Sequence, residues 1–232
     1  MSIIEQQIEY YQALVREHGI TPQALAHRDE ETQNERFYRF DRMWENIISP
    51  FSVHEIGCGL GHHAQYLADR FPHAVYSGTD IVPEFIEACH TRFPSLAFYN
   101  RDIIAHLPED RYDFVVLSGT FNGRLEATPA QWDHFIRALM LAMYRMCTKG
   151  IAVNFLTSYA DPEYMKDYLH YQCEGDILDF VVRNISRHVE MDMAGPLYEY
   201  TLRIYRPEYM KSLYHTDAFT RYFRGVRDTP RT

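Results

Sequence analysis

The segment Ser52-Val53-His54-Glu55-Ile56-Gly57-Cys58-Gly59-Leu60-Gly61-His62-His63 runs from an apolar stretch into three glycines at alternate positions. Lacking a Cβ, Gly57 and Gly59 reach positive φ and let a ligand lie against the main chain, while Gly61 permits close approach of a helix. Glu55 stands two positions before the first glycine. Asp80 follows Gly61 by 19 residues, at the end of Tyr76-Ser77-Gly78-Thr79-Asp80-Ile81. A carboxylate there can accept both hydroxyls of a ribose, with Ile81 facing the attached base. Further along, Asn100-Arg101-Asp102-Ile103 offers an acidic side chain and a backbone amide to an adenine edge. Leu117-Ser118-Gly119-Thr120-Phe121-Asn122 is a turn of mostly small residues. The chemistry these types and spacings permit is the holding of a nucleoside-bearing cofactor. His62 occupies the place where a dinucleotide-binding G-x-G-x-x-G has its third glycine, which weakens a nicotinamide reading.

These residues need a sheet edge to bring them together. Short apolar runs at Phe51 to Ile56, Ala74 to Thr79, Leu96 to Asn100, Tyr112 to Leu117 and Ile151 to Leu156 read as strands. Helical segments at about 61 to 71, 82 to 93 and 130 to 147 separate most of them. Strands joined by such crossovers build a parallel, doubly wound sheet covered on both faces, with ligands at its carboxyl edge. The alternation then changes: Tyr164 to Asn184 reads as helix, followed by strands at about Arg187 to Met193 and Leu197 to Tyr205. Ala194-Gly195-Pro196 between them marks an antiparallel hairpin. Upstream, Ile3, Ile4, Ile8, Tyr11 and Leu14 recur at helical spacing, Thr21-Pro22 restarts the chain, and a second helical run covers Glu30 to Ile48. The expected organisation is a helical lid over 1–50, an α/β core over 51–206 and a helical tail over 207–232.

Composition narrows the partners. The 232 residues are 46% hydrophobic and 24% charged, with a net charge of −9, so a globular fold is expected and a nucleic-acid or anionic-membrane surface is not. No apolar run reaches the roughly 20 residues a membrane helix needs, and no basic segment followed by an apolar one opens the chain. A soluble, cytoplasmic protein is expected. Cys58, Cys89, Cys147 and Cys173 are too dispersed for a CxxC pair, and the 12 histidines form no HExxH, so no metal is expected. Nothing in the pattern distinguishes a monomer from a homodimer.

The motif from Glu55 to Gly61, the acidic end of the second strand at Asp80, Asp102 and the Tyr112-Asp113 pair together resemble the class I S-adenosylmethionine-dependent methyltransferases, over residues 51 to 205. The resemblance implies a doubly wound, seven-stranded, mostly parallel sheet ending in an antiparallel hairpin, and S-adenosylmethionine as cofactor. It implies Gly57, Gly59 and Gly61 near the methionine part, Asp80 on the ribose, and Asp102 with Ile103 at the adenine. Leu117 and Ser118 would line the methionine side, and Glu55 would orient the loop or meet the cofactor amine through water. Thr32-Gln33-Asn34-Glu35-Arg36-Phe37 is similar to a segment before the core in bacterial members that modify small molecules, where a helical lid closes over the site. Arg36 is the candidate partner for the cofactor carboxylate.

Transfer from a sulfonium requires alignment and exclusion of water more than an elaborate catalytic group. Asn122 and Asn154, at the ends of strands four and five, and Tyr159 are the candidates to touch the reacting groups. Tyr10, Tyr11, Phe37, Tyr38, Phe40, Phe121 and Phe155 are the other aromatics expected about the mouth. Methylation of a small molecule is the leading expectation. One alternative is a cyclase in which the cofactor's α-amine attacks its own γ-carbon, giving azetidine-2-carboxylate and methylthioadenosine. Another is a non-catalytic cofactor-binding module.

Overall fold

The computed structural model describes residues 2–25, 29–214, 216–223 and 225. Five of the strands form a parallel array: β1 (Phe51–Ile56), β2 (Ala74–Asp80), β3 (Ala97–Asn100), β4 (Tyr112–Leu117) and β5 (Cys147–Thr157). Helices α3 (His62–Arg70), α4 (Pro83–Arg92) and α5 (Pro129–Met146) make the crossovers, and α6 (Glu174–Asn184) follows β5. Strands β7 (Val189–Asp192) and β8 (Glu199–Tyr205) pair antiparallel, and β8 also pairs antiparallel with β5. The order across the sheet is β3-β2-β1-β4-β5-β8-β7. The expected doubly wound sheet with its terminal hairpin is therefore present.

The central strands carry Val53, Phe114, Val115, Val116, Ile151 and Val153 fully buried, as a sheet covered on both faces requires. One face packs on α5 and α6 through Ile136, Met140, Met143, Ile177 and Val181. The other packs on Phe40, Met43 and Trp44, and on Leu67 and Ile86 of α3 and α4.

Before the sheet, α1 (Ile3–His18) begins with a reciprocal cap between Ser2 and Glu5 and ends at Gly19, whose φ of 68° is the left-handed backbone glycine tolerates. A 3₁₀ turn, Pro22–Leu25, leads to α2 (Glu30–Asp41), capped by Asp29. Ala24 and Leu25 pack with Leu60, Val82 and Phe85, and Tyr11 and Leu14 lie against them. The N-terminal helices thus rest on the loops at the sheet's carboxyl edge.

The structure departs from the sequence-based expectations in two places. The second helical run stops at Asp41 and continues as turns, because Trp44 and Glu45 bond back to Asp41 while Trp44 enters the core. Residues 165–172 are not helical. The backbone N–H of His170 bonds to the Asn122 carbonyl and that of Arg124 to the Tyr168 carbonyl, so this stretch is held by the loop after β4. It supplies a two-residue strand, β6 (Tyr171–Gln172), parallel to the end of β5. In the tail, α7 (Pro207–Ser212) and a 3₁₀ segment, Asp217–Tyr222, are formed; the expectation for 226–232 lies outside the described residues.

Candidate active site

Gly57, Gly59 and Gly61 have φ of 72°, 50° and 71°, so the turn between β1 and α3 takes the conformations that its glycines permit. The Thr79 carbonyl receives the N–H groups of both Gly57 and Cys58 at 2.8 and 3.0 Å. A Cβ on Gly57 would stand 2.2 Å from Thr120 Oγ1, so the turn lies directly against the loop after β4. A Cβ on Gly61 would meet Phe93 at 2.9 Å, the close approach expected there.

Asp80 binds this turn together. Its Oδ2 accepts the Gly59 N–H and its Oδ1 the Val82 N–H, each at 2.9 Å. Burial raises its pKa from 3.8 to about 6 against the lowering effect of those backbone donors. Each carboxylate oxygen keeps capacity for a further donor. Beneath the turn, His54 bonds to Ser77 and Thr79 and stacks on Tyr112 at 4.2 Å. Burial pushes its pKa down to about 3, so it is a neutral brace.

Glu55 accepts the Tyr76 hydroxyl at 2.5 Å, and its other oxygen stands 3.6 Å from His63 Nδ1. The His63 ring stacks on Phe37 of α2 at 4.4 Å, which couples that helix to the start of α3. Arg36, one residue earlier, directs Nε and Nη2 onto the carboxylate of Glu199 in β8. Glu199 also accepts Asn154 Nδ2 at 2.6 Å, and Asn154 Oδ1 accepts the Gly119 N–H at 2.7 Å. Four elements are joined by this chain of bonds.

These loops surround a cavity of about 610 Å³. Gly57, Gly59, Asp80, Ile81, Asp102 and Ile103 line it. Tyr10 of α1, Asn122, and Tyr164 and Tyr168 of the β5–β6 connection line it as well. A glycine turn that presents its main chain, a carboxylate at the next strand end and an apolar flank suit a nucleoside cofactor.

A family model described as a methyltransferase domain matches residues 53–150. "Putative methyltransferase Rv1506c" of Mycobacterium tuberculosis is 34% identical over 160 residues, 68% of this chain and 95% of that protein. The chain belongs to the class I S-adenosylmethionine-dependent methyltransferases. Its cofactor is S-adenosylmethionine. A second methyltransferase relative, trans-aconitate 2-methyltransferase of Methylobacterium radiotolerans, is 36% identical over 120 residues, and the match spans 50% of this chain and 42% of that protein. The fold is shared with the magnesium protoporphyrin IX methyltransferase of Synechocystis, at a TM-score of 0.61 and 14% identity over 87% of this chain and 99% of that one. It is shared also with the N-methyltransferase NodS of Bradyrhizobium japonicum, at 0.58 and 17% over 84% and 97%.

In this methyltransferase the residues singled out from sequence fall into three groups. Glu55, Gly57, Gly59, Asp80, Ile81, Asp102, Ile103, Ser118 and Asn122 line the cavity. Gly61 shapes the turn behind it. Leu117, Asn154 and Tyr159 need correction. The Leu117 side chain is wholly buried in the core between sheet and α5, because strand alternation turns it away from the edge. Asn154 is buried and both ends of its amide are engaged, so it braces the wall rather than faces the cavity. Tyr159 is 75% exposed and outside the cavity lining, since the chain turns outward after Thr157. Arg36 lines the cavity, with Nε and Nη2 on Glu199 and, among the described residues, no hydrogen bond from Nη1.

The expected aromatic mouth is likewise divided. Tyr10, Tyr11 and Phe37 line the cavity, whereas Phe121 and Phe155 stack on each other in the core. Phe40 is buried, and Tyr38 is exposed beside Arg39 and Arg70. Sequence reasoning missed Glu199, Thr120, Tyr164 and Tyr168. Glu199 opens a strand with no distinguishing spacing, and the two tyrosines lie in a stretch whose pattern mimics a helix.

Proposed function

We propose that this methyltransferase transfers the sulfonium methyl of S-adenosylmethionine to a small-molecule acceptor by in-line displacement within the 610 Å³ cavity. The observation that carries the reading is that one cavity is lined both by the glycine turn with Asp80 and Asp102 and by Tyr10, Tyr164 and Tyr168. Cofactor and acceptor then share one enclosure. When bound, S-adenosylmethionine supplies an electrophilic methyl carbon.

The chain's own residues bind and orient. Asp80 receives the ribose hydroxyls, and Ile81, Asp102 and Ile103 flank the adenine. Gly57, Gly59 and Ser118 bring backbone and a small side chain against the methionine part, with Gly61 setting the turn. Arg36, oriented by Glu199, offers Nη1 to the cofactor carboxylate. Glu55, fixed by Tyr76, faces the cofactor amine. Helices α1 and α2 act as the lid that excludes water. Among the described residues no helix is long and apolar enough to cross a membrane, consistent with an acceptor met in the aqueous phase.

Membership in the methyltransferase family favours methyl transfer over cyclisation of the cofactor and over a purely binding role. The test is incubation of the purified protein with S-adenosylmethionine and a panel of small acceptors, with nucleoside products identified by mass spectrometry. S-adenosylhomocysteine formed only when an acceptor is present supports the reading. Methylthioadenosine formed from the cofactor alone overturns it in favour of the cyclase.

A further inference from the structure

Helix α2 gives one face to the cavity: Gln33, Arg36 and Phe37, spaced three and four residues apart, all line it. Phe37 stacks on His63 and Arg36 pairs with Glu199, so two of the three are held by neighbours. Gln33 is not. It is only 7% exposed, yet among the described residues its side-chain amide has no hydrogen-bond partner. The ring nitrogens of nearby His63 are unpartnered and sealed from solvent, whereas the Gln33 amide is unpartnered but not sealed. An enclosed side chain with an open amide and a place in the cavity wall turns that amide into the cavity. Enclosing an amide without a partner is costly, and a ligand group that bonds to it removes the cost.

The neighbours define what that group is. An amide can donate through Nε2 or accept through Oε1. One turn along the same face, Arg36 holds Glu199 with Nε and Nη2 and makes no hydrogen bond from Nη1. Gln33 Nε2 and Arg36 Nη1 are therefore two unspent donors on successive turns of one helix. A carboxylate has two oxygens and only accepts, so it suits such a pair. Because Glu199 already neutralises the guanidinium, a second anion gains less from the charge of Arg36 and more from an added neutral donor. Acceptance of an ammonium by Gln33 Oε1 has a stronger rival in the carboxylate of Glu55, which also lines the cavity. The stacking of Phe37 on His63, whose Nδ1 stands 3.6 Å from Glu55 Oε1, sets this face of α2 on the Glu55 side of the cavity. That is the side assigned above to the amino-acid end of the cofactor.

We propose that Gln33 is a cofactor-binding residue whose Nε2 donates to the carboxylate of S-adenosylmethionine, beside Arg36 Nη1. Helix α2 then reads the amino-acid end of the cofactor as well as covering it. This inference rests on the cofactor placement given under the proposed function and adds a second contact for the carboxylate.

The experiment is calorimetric titration of the full chain with S-adenosylhomocysteine and with methylthioadenosine, which has the nucleoside and the sulfur but no amino-acid part. Wild type, Gln33→Met and Gln33→Glu are compared. Wild type is expected to bind S-adenosylhomocysteine at least about tenfold more tightly than methylthioadenosine. Gln33→Met, similar in length but without the amide, is expected to lose about tenfold toward S-adenosylhomocysteine and less than about twofold toward methylthioadenosine. Gln33→Glu, nearly the same in shape but with a negative charge set against the carboxylate, is expected to lose more. Equal losses toward the two ligands in both variants overturn the proposal, because they mark a structural role for Gln33 in α2. So does an unchanged affinity of Gln33→Met for S-adenosylhomocysteine. Tighter binding of S-adenosylhomocysteine by Gln33→Glu than by wild type also overturns it and assigns the side chain to the ammonium. If wild type binds neither ligand, the cofactor site itself falls and this assignment with it. If wild type binds both equally, the cofactor site stands and the reading of its amino-acid end by α2 falls.

Discussion

Arg36 and Glu199, 163 residues apart in sequence, meet through two guanidinium nitrogens and one carboxylate, with side chains only 12% and 9% exposed. The pair ties α2 to the hairpin strand β8. Because Glu199 also holds Asn154, which holds the Gly119 N–H, the position of the N-terminal helix is linked to the turn after β4.

Removing one partner strands the other. Glu199→Ala should lower the unfolding free energy by about 3 kcal/mol, the size expected when a buried pair is broken from one side. Glu199→Gln, which keeps an acceptor for Arg36 and Asn154, should cost less. Urea unfolding of both variants checks this, and a loss under about 1 kcal/mol in Glu199→Ala would show that the fork contributes little.

Asp80 should give cofactor binding a pH dependence. Its pKa in the fold is raised to about 6, and donors from a ribose favour the carboxylate, so cofactor affinity should fall as pH drops through 6. Asp80→Asn should weaken binding about tenfold or more at pH 7.5 and flatten the profile. Stability runs the other way. The raised pKa means that the stabilising contribution is complete below about 3.8 and lost as pH rises through about 6. The melting temperature of ligand-free wild type, relative to Asp80→Asn, should therefore decline between pH 4 and 7, and a flat difference would contradict it.

Gly57 has two separable constraints. Alanine there would meet Thr120 Oγ1 at 2.2 Å and would also occupy a φ of 72°. The left-handed backbone alone costs about 1–2 kcal/mol. Gly57→Ala should thus destabilise the fold and abolish measurable cofactor binding, while the double variant with Thr120→Ala should recover part of the stability. Full recovery would mean that the contact with Thr120 is the whole penalty.

Tyr168 and Tyr159 lie close in sequence yet differ in place. Tyr168 lines the cavity and Tyr159 is 75% exposed outside it. Tyr168→Ala should raise KM for the acceptor severalfold with cofactor affinity unchanged, whereas Tyr159→Ala should change kcat/KM less than twofold. Steady-state kinetics of the two variants would reverse this assignment if Tyr159→Ala were the slower enzyme.

Local patterns carried much of the architecture. Alternating apolar runs from Phe51 to Leu156 named the five parallel strands, and Ala194-Gly195-Pro196 marked the hairpin, because burial on both faces and a tight turn each impose residue types locally. The stretch from Tyr164 to Gln172 misled, since its bonds go to Asn122 and Arg124, more than 40 residues upstream. Periodicity registers a chain's own helix but not a partner that distant.

The glycine turn and Asp80 were legible for the same local reason: a backbone at positive φ and a carboxylate at a strand end depend on a few adjacent residues. The fates of Arg36, Asn154, Leu117 and Tyr159 were not. Each depends on which neighbour the fold delivers, and Glu199 competes for Arg36 and Asn154 only once β8 has paired with β5. The sequence by itself determined the strand-turn-helix units, the cofactor class and the residues of the glycine turn. Only the tertiary structure decided which side chains face the cavity and which spend their hydrogen bonds on one another, because that choice is made by contacts between segments far apart in the chain.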